Sequence, residues 1–216
     1  MSDIINITNT LGPIGTNCYT AANSKTREAV IIDPASRGDF LKGIYDNQNL
    51  KPVAILLTHG HYDHIGAVNQ LKNLYPGIRV YASKDEEGML ADPYKNLAEM
   101  FGAAYTTTAD EWLKDGDVIE LIGTKIRCMS TPGHTPGGMC YYLEEEGVLY
   151  SGDILFAGSF GRTDFPGGNT RELMLSIRDV LFKLPDDTKV YPGHDSYTTI
   201  GREKKDNACL MYFSQI

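Results

Sequence analysis

The chain has 216 residues, enough for a sizeable core, and its 42% hydrophobic and 22% charged residues are ordinary for a globular protein. The formal net charge of −8 argues against a nucleic-acid partner, which needs a basic surface. The sequence shows neither a secretory signal nor an apolar stretch that could span a bilayer, so we predict a cytoplasmic protein with no membrane partner.

The first half of the chain alternates strand-like and helix-like segments. DIINIT, NCYTAAN and EAVIID predict three strands, and RGDFLKGIYDNQN predicts an amphipathic helix. We then expect a strand over 53–58, a helix over 63–75 and the strand IRVYAS. Residues 84–103 are predicted to be helical, with a break at Pro93.

The second half repeats this organisation. DVIELI and KIRCMS predict a hairpin, and GGMCYYLEEEGVLYSGD predicts another. TRELMLSIRDVLFKL predicts a helix, TKVY a strand and 203–213 a final helix. Since no linker divides the chain, we predict one domain over 1–216, with sheets covered by helices in two similar halves.

The four cysteines lie far apart and form no C-x-x-C pair. We predict that all of them are reduced and mostly buried thiols: Cys18, Cys128, Cys140 and Cys209.

All five histidines lie just beyond predicted strands, as does one aspartate. They are His59, His61 and His64 after AILLT, His134 after RCMST, His194 after TKVY, and Asp153 after GVLY. The phrase P-G-H ends at both His134 and His194. Functional groups on loops at one edge of a rigid sheet are typical of an active site.

A metal site would explain this arrangement. Alternate side chains of an extended segment share a side, so His59 and His61 are expected to face the same way. With Asp63 and Asp153, the five imidazoles offer more ligands than one zinc ion needs, and they suit two ions about 3.5–4 Å apart. A purely structural zinc is disfavoured because no cysteine belongs to the set.

Each of these features also has an ordinary structural interpretation. Asp63 alone fits a helix N-cap, each P-G-H fits an exposed turn, and Asp153 fits a turn residue. The metal hypothesis is preferred because no histidine is left over and each of them follows a strand.

The segment HGHYDH at 59–64, with His134, Asp153 and His194 downstream, resembles the H-x-H-x-D-H pattern of the metallo-β-lactamase superfamily. The match runs from Asp33 of VIIDP to His194. The resemblance implies an α+β fold, an αββα sandwich of two mixed β-sheets flanked by helices, with the site along the edge that the sheets share.

The resemblance also implies a role for each residue. His59, His61 and His134 would hold the first metal; Asp63, His64 and His194 would hold the second; and Asp153 would bridge them. Asp63 would in addition orient the metal-bound hydroxide, and Asp33 would support the ligands from behind. The implied cofactors are two divalent ions, with zinc expected first and iron or manganese as alternatives.

Within the superfamily, the segments GPIGTNCY, TPGHTPGG, GDILFAGSFGRTDFPGG and TTIGREKKDN resemble the short bacterial branch of the glyoxalase II-like (hydroxyacylglutathione hydrolase-like) enzymes. This likeness implies hydrolysis of small-molecule thioesters such as S-D-lactoylglutathione by a metal-bridging hydroxide. Only 22 residues follow His194, where glyoxalase II continues into a helical part that helps to bind glutathione. His64 counts against a β-lactamase, and the alternative is a persulfide dioxygenase-like oxidoreductase with one iron.

The leaving group supplies an argument that needs no family. If all five histidines are ligands, none remains as a general acid, so a thiolate (thiol pKa about 8.5) leaves more readily than an amine. Tyr62 and Tyr197, beside the ligands, are alternative proton donors. Arg162 is a candidate anchor for an anionic substrate, and an ion pair with Asp164 is the alternative. The sequence does not predict the oligomeric state.

Overall fold

Two six-stranded sheets form the centre of the structure, a computed structural model that describes residues 3–216 apart from the side chain of residue 215. The first two residues of the predicted 1–216 domain therefore lie outside the described part. The first sheet keeps the strands in chain order: β1 (Ile4–Leu11), β2 (Thr16–Asn23), β3 (Glu28–Ile32), β4 (Lys51–Leu56), β5 (Arg79–Ser83) and β6 (Glu111–Leu113). Strands β1 to β3 pair antiparallel and β3 to β6 pair parallel, so this sheet is mixed.

The second sheet is also mixed. Its strands are β7 (Val118–Leu121), β8 (Thr124–Ser130), β9 (Met139–Leu143), β10 (Val148–Gly152), β13 (Lys189–Pro192) and β14 (Thr198–Thr199), in the spatial order β14-β13-β10-β9-β8-β7. Only β10 and β13 pair parallel. A separate hairpin of β11 (Leu155–Phe156) and β12 (Ser159–Phe160) follows Asp153.

Short helices cover the outer faces. The α-helices are α1 (Gly38–Asn47), α2 (Tyr62–Ile65), α3 (Val68–Leu74), α4 (Glu87–Leu90), α5 (Thr170–Leu175) and α6 (Ile200–Asp206). A π-helical turn over Ser176–Val180 and a 3-10 turn over Leu181–Lys183 continue α5. Further 3-10 turns are Lys84–Glu86, Ala98–Phe101, Glu144–Glu146 and Ala208–Gln215.

Three buried clusters show the layers. Along β3, Val30 and Ile32 pack against the second sheet, whereas Ile31 between them packs with Leu41 and Leu71 of α1 and α3. This alternation follows from the pleat, and it explains why strands covered on both faces are continuously apolar. The outer face of the second sheet packs against the α5 segment in the same way. The predicted αββα sandwich of two mixed sheets is confirmed.

Several elements differ from the sequence prediction. The helix expected over 63–75 is split into α2 and α3, because the Ala67 N–H bonds the Pro34 carbonyl outside the helix. Residues 84–103 form only the four-residue helix α4 and short 3-10 turns, since Pro93 has no N–H and Leu97 takes a left-handed φ of 66°. The final helix begins earlier and ends at Asp206, where Asn207 starts and caps a 3-10 turn. The expected strand over 53–58 is β4, which begins and ends two residues earlier.

The predictions for the thiols and the membrane can also be compared with the structure. All four cysteines are free and buried, as predicted. Within residues 3–216, none of the helices combines the length and hydrophobicity that crossing a bilayer requires.

Candidate metal centre

The loops that carry the histidines meet at one edge of the two sheets. His59 and His61 follow β4, and Asp63 and His64 lie on the short helix α2. His134, Asp153 and His194 follow β8, β10 and β13 of the second sheet. Every candidate ligand predicted from the sequence is therefore in this cluster, although the residues span positions 59 to 194.

Three of the histidines form one group. Potential ligand atoms of His59, His61 and His134 all lie within 4.8 Å of one another, and all three side chains are buried. His61 Nδ1 is 3.0 Å from His134 Nε2. The Nδ1 of His134 is 2.7 Å from the Arg162 carbonyl, which can only accept, so the proton is on Nδ1 and the lone pair of Nε2 faces the group.

The second group combines Asp63, His64 and His194, again within 4.8 Å. Asp63 Oδ2 lies 3.3 Å from His64 Nε2 and 3.4 Å from His194 Nε2. Asp63 is inside the first turn of α2 and His61 occupies the N-cap position, so the N-cap interpretation of Asp63 is wrong. A hydroxyl from β2 fixes this carboxylate, because Thr16 Oγ1 donates to Asp63 Oδ2 at 2.6 Å.

Asp153 lies between the two groups. Its Oδ2 is 3.5 Å from Nε2 of both His134 and His194, and its Oδ1 is 3.5 Å from His64 Nε2. One carboxylate therefore reaches residues of each group.

Asp33 supports the second group from behind. Its Oδ2 is 2.9 Å from His64 Nδ1 and also accepts Thr58 Oγ1 at 2.6 Å, while its Oδ1 accepts the Thr58 N–H at 2.8 Å. Asp33 also belongs to a third combination of possible ligands, together with His59 and His64. Since these donors already occupy both oxygens, Asp33 orients His64 and leaves its Nε2 directed at Asp63 and Asp153.

The electrostatics of the cluster favour positive charge between its carboxylates. Burial lowers the pKa of His59, His61 and His134, that of His61 to about 3. Burial opposes charge on His64 and His194 too, but the nearby Asp63 and Asp153 outweigh it. The pKa of His194 rises to about 9 and that of His64 lies well above its usual value. The pKa values of Asp63 and Asp153 fall despite burial, chiefly through His64.

Unsatisfied buried atoms show that the cluster fits a cation. Nε2 of His59, His61 and His64 and Oδ1 of Asp153 are buried and make no hydrogen bond within the described residues. Buried polar atoms of this kind are normally paired, because leaving one unpaired costs about 1–3 kcal/mol. Imidazole and carboxylate donors are suited to zinc, iron or manganese, so the donor set is chemically appropriate for a metal.

A cleft of about 540 Å³ opens onto the cluster. Both groups of candidate ligands reach it, through His61, His134, Asp63 and His194, together with Asp153. Much of its wall is apolar: Leu97, Met100, Phe101, Phe156, Phe160 and Phe165. The segment 84–114, whose role the sequence did not reveal, thus supplies part of this wall.

Arg162 also lines the cleft, but an acidic neighbour binds its guanidinium. Its Nε and Nη2 each donate to Asp164 at 2.6 Å, and its Cζ lies 3.9 Å from the centre of the Phe165 ring. The ion pair between Arg162 and Asp164, which the sequence offered as the alternative to substrate binding, is therefore present. Neither Tyr62 nor Tyr197 is among the residues that line the cleft.

Sequence reasoning missed three residues that hold the ligands in place, namely Thr16, Thr58 and Glu86. Glu86 is buried, and its carboxylate accepts the N–H groups of Gly60 and Gly137, each at 2.7 Å. Burial raises the pKa of this carboxyl group. In the sequence, Glu86 is visible only as an acidic residue shortly after a predicted strand. Acidic residues at such positions are far more often exposed than buried.

Comparison with known proteins agrees with this architecture. The family model described as Metallo-beta-lactamase superfamily matches residues 11–194. A protein named hydroxyacylglutathione hydrolase GloC, from Haemophilus influenzae, is 38% identical over 187 residues, which cover 85% of this chain and 88% of that protein.

Two solved structures are similar over nearly their whole length. BLEG-1, named a B3 metallo-beta-lactamase, is 40% identical with a TM-score of 0.91, and the match covers 95% of this chain and 99% of BLEG-1. TTHA1623, solved in a di-iron-bound form, is 34% identical with a TM-score of 0.83, and the match covers 94% of this chain and 98% of that one.

Proposed function

This chain belongs to the metallo-beta-lactamase superfamily, and on that premise we propose that it is a dinuclear metal-dependent hydrolase of thioesters, of the glyoxalase II type. Membership gives the fold and supports metal-dependent hydrolysis, and the likeness to GloC at 38% identity supports a thioester substrate.

The observation that carries the proposal is the convergence of all five histidines with two aspartates. His59, His61 and His134 would hold one ion, Asp63, His64 and His194 the other, and Asp153 would contact both. The unsatisfied Nε2 atoms of His59 and His64 and Oδ1 of Asp153 support this assignment because a cation would satisfy them. His61 turns Nδ1 toward His134 Nε2. The di-iron form of TTHA1623 supports a site for two ions.

Two divalent ions would supply Lewis-acid activation of a water molecule and of the substrate carbonyl. Asp63 is suited to orient the attacking water, because its lowered pKa keeps the carboxylate ionised and able to accept a hydrogen bond. Thr16 fixes this carboxylate through its 2.6 Å hydrogen bond.

The leaving group favours a thioester over an amide. No histidine is left to protonate an amine, since all five belong to the cluster. Tyr62 and Tyr197 do not line the cleft, which weakens the two alternative proton donors. A thiolate can leave without protonation, because thiols have a pKa of about 8.5.

The test combines metal analysis with substrate assays on one preparation. Protein purified without added metal should contain two metal ions per chain, and it should release thiol from S-D-lactoylglutathione. One iron per chain with oxygen consumption on glutathione persulfide would instead support the oxidoreductase alternative.

A β-lactamase activity is the second candidate, because BLEG-1 at 40% identity is named a B3 metallo-beta-lactamase. Cleavage of a β-lactam yields an amine that needs a proton, for which the described site has no free histidine. We therefore expect kcat/KM for the thioester to exceed that for nitrocefin. The opposite order would overturn the assignment to thioesters.

A further inference from the structure

Glu86 is a buried carboxylate at the end of the 3-10 turn that follows β5. The residue is 1% exposed, and the described residues give it no ion pair with a basic side chain. Its Oε2 accepts the Gly60 N–H and its Oε1 accepts the Gly137 N–H, each at 2.7 Å. Burying a carboxylate is costly unless hydrogen bonds compensate it, so these two contacts are strong constraints on the loops they reach.

Both amides belong to loops that carry the three-histidine group. Gly60 lies between His59 and His61 on the loop after β4, and Gly137 is three residues beyond His134 on the loop after β8. These loops leave different sheets, yet His61 Nδ1 and His134 Nε2 lie only 3.0 Å apart. Glu86 thus ties together two ligand loops that the chain does not connect locally.

The approach of Glu86 leaves no room for larger residues. A Cβ at position 60 would lie 2.9 Å from Glu86 Oε2, and one at position 137 would lie 2.6 Å from the Glu86 backbone nitrogen. Glycine at both positions lets the carboxylate reach the amides directly.

The second group has a different support. Asp33 holds His64 through its 2.9 Å contact, and Thr16 holds Asp63. Glu86 contacts neither of these residues in the hydrogen bonds of the described chain. Glu86 therefore reaches only the loops of the three-histidine group, whereas Asp33 contacts His64 directly and reaches His59 through Thr58.

We propose that Glu86 is a positioning residue that sets the spacing of His59, His61 and His134, and that its loss selectively weakens one of the two metal sites. This inference rests on the metal centre of the proposed function. In Glu86→Gln, an NH2 group replaces one carboxylate oxygen. A donor would then face the backbone N–H of Gly60 or Gly137, so one of the two loops would lose its anchor.

The test is a zinc titration of the full chain against a chromophoric chelator. Wild type should bind two ions. Glu86→Gln should bind one ion as wild type does and the other about tenfold or more weakly, the range typical for groups that orient metal ligands.

Glu203→Gln is the matched control. Glu203 is also 1% exposed and accepts the Gly158 N–H and Asn207 Nδ2–H at 2.7 Å, but it anchors neither loop of the three-histidine group. The Glu203→Gln variant should have a lower melting temperature than wild type and unchanged affinities for both zinc ions.

Gly60→Ala provides a second, independent disturbance. Its methyl group would meet the same carboxylate, so it should weaken the same ion even if Glu86→Gln folds poorly. The proposal would be overturned if Glu86→Gln bound both ions with wild-type affinity, or if it weakened both equally as its melting temperature fell. A wild type that binds two zinc ions without hydrolysing thioesters would overturn the proposed function and leave this inference standing.

Discussion

Asp33 and His64 form a buried pair in which the Asp33 carboxylate lies 2.9 Å from Nδ1 of the imidazole. The same carboxylate receives the backbone N–H and the hydroxyl of Thr58, which directly precedes His59. The contact fixes the His64 ring with Nε2 toward Asp63 and Asp153, and it links the end of β3 to the first residues of the ligand loop.

Asp33→Asn should therefore weaken one of the two zinc sites by about 10–100-fold, the usual effect of losing a group that orients a ligand histidine. The asparagine side chain has only one acceptor oxygen, whereas three groups meet the Asp33 carboxylate: the N–H and hydroxyl of Thr58 and Nδ1 of His64. The measurement is the same chelator competition, with Asp39→Asn on the exposed start of α1 as the control. Equal zinc affinities in Asp33→Asn and wild type would contradict the assigned role.

His134→Ala should abolish thioester hydrolysis while leaving the fold largely intact. The side chain supplies one of the three imidazoles of its group, and a catalytic zinc normally needs about three protein ligands. Thiol release and circular dichroism on the same sample are the two measurements. Wild-type turnover in this variant would remove His134 from the site.

Chelation of bound metal should lower the melting temperature. Zinc present at 100 times its dissociation constant stabilises the folded state by about 2.7 kcal/mol per site. For a chain of this size each kcal/mol corresponds to roughly 2–4 °C, so we expect a fall of roughly 5–10 °C for each ion removed. Differential scanning calorimetry with and without a chelator measures this fall in melting temperature. Zinc added in excess should restore the original melting temperature. An unchanged transition would show that no ion is coupled to folding.

Arg162→Met should raise KM for S-D-lactoylglutathione by no more than about fivefold, since exposed ion pairs contribute only about 0–1 kcal/mol. The guanidinium is already neutralised by two hydrogen bonds to Asp164, and the variant keeps an apolar stem beside Phe165. Steady-state kinetics test this. A tenfold rise in KM at constant kcat would instead identify Arg162 as the substrate anchor.

The four thiols should resist modification in the folded protein. All are buried, and burial raises the pKa of Cys128, Cys140 and Cys209 to about 12 and that of Cys18 further. Because the thiolate is the reactive form, a disulfide reagent should titrate no cysteine before denaturant is added and four afterwards. Rapid labelling of one thiol in the native state would contradict this burial.

The local sequence indicated the candidate ligands and most of the strands. Strands are recognisable from their apolar and alternating patterns, and a histidine within a few residues of the end of a strand lies near the sheet edge, as His59, His134 and His194 do. Local pattern failed where a distant group competed for the backbone. The Ala67 N–H bonds Pro34, which splits a helix that the sequence periodicity predicts to be continuous.

Only the tertiary structure decided how the ligands are held. Asp33 is expected to support the ligands only because of the family resemblance. Glu86 looks in the sequence like an ordinary acidic residue after a strand, and nothing local reveals that it bridges Gly60 and Gly137, which are 77 positions apart. Periodicity reports which face of an element is buried. The partner of a buried polar group depends on how the two sheets pack, and that relation is not encoded over any short stretch of chain.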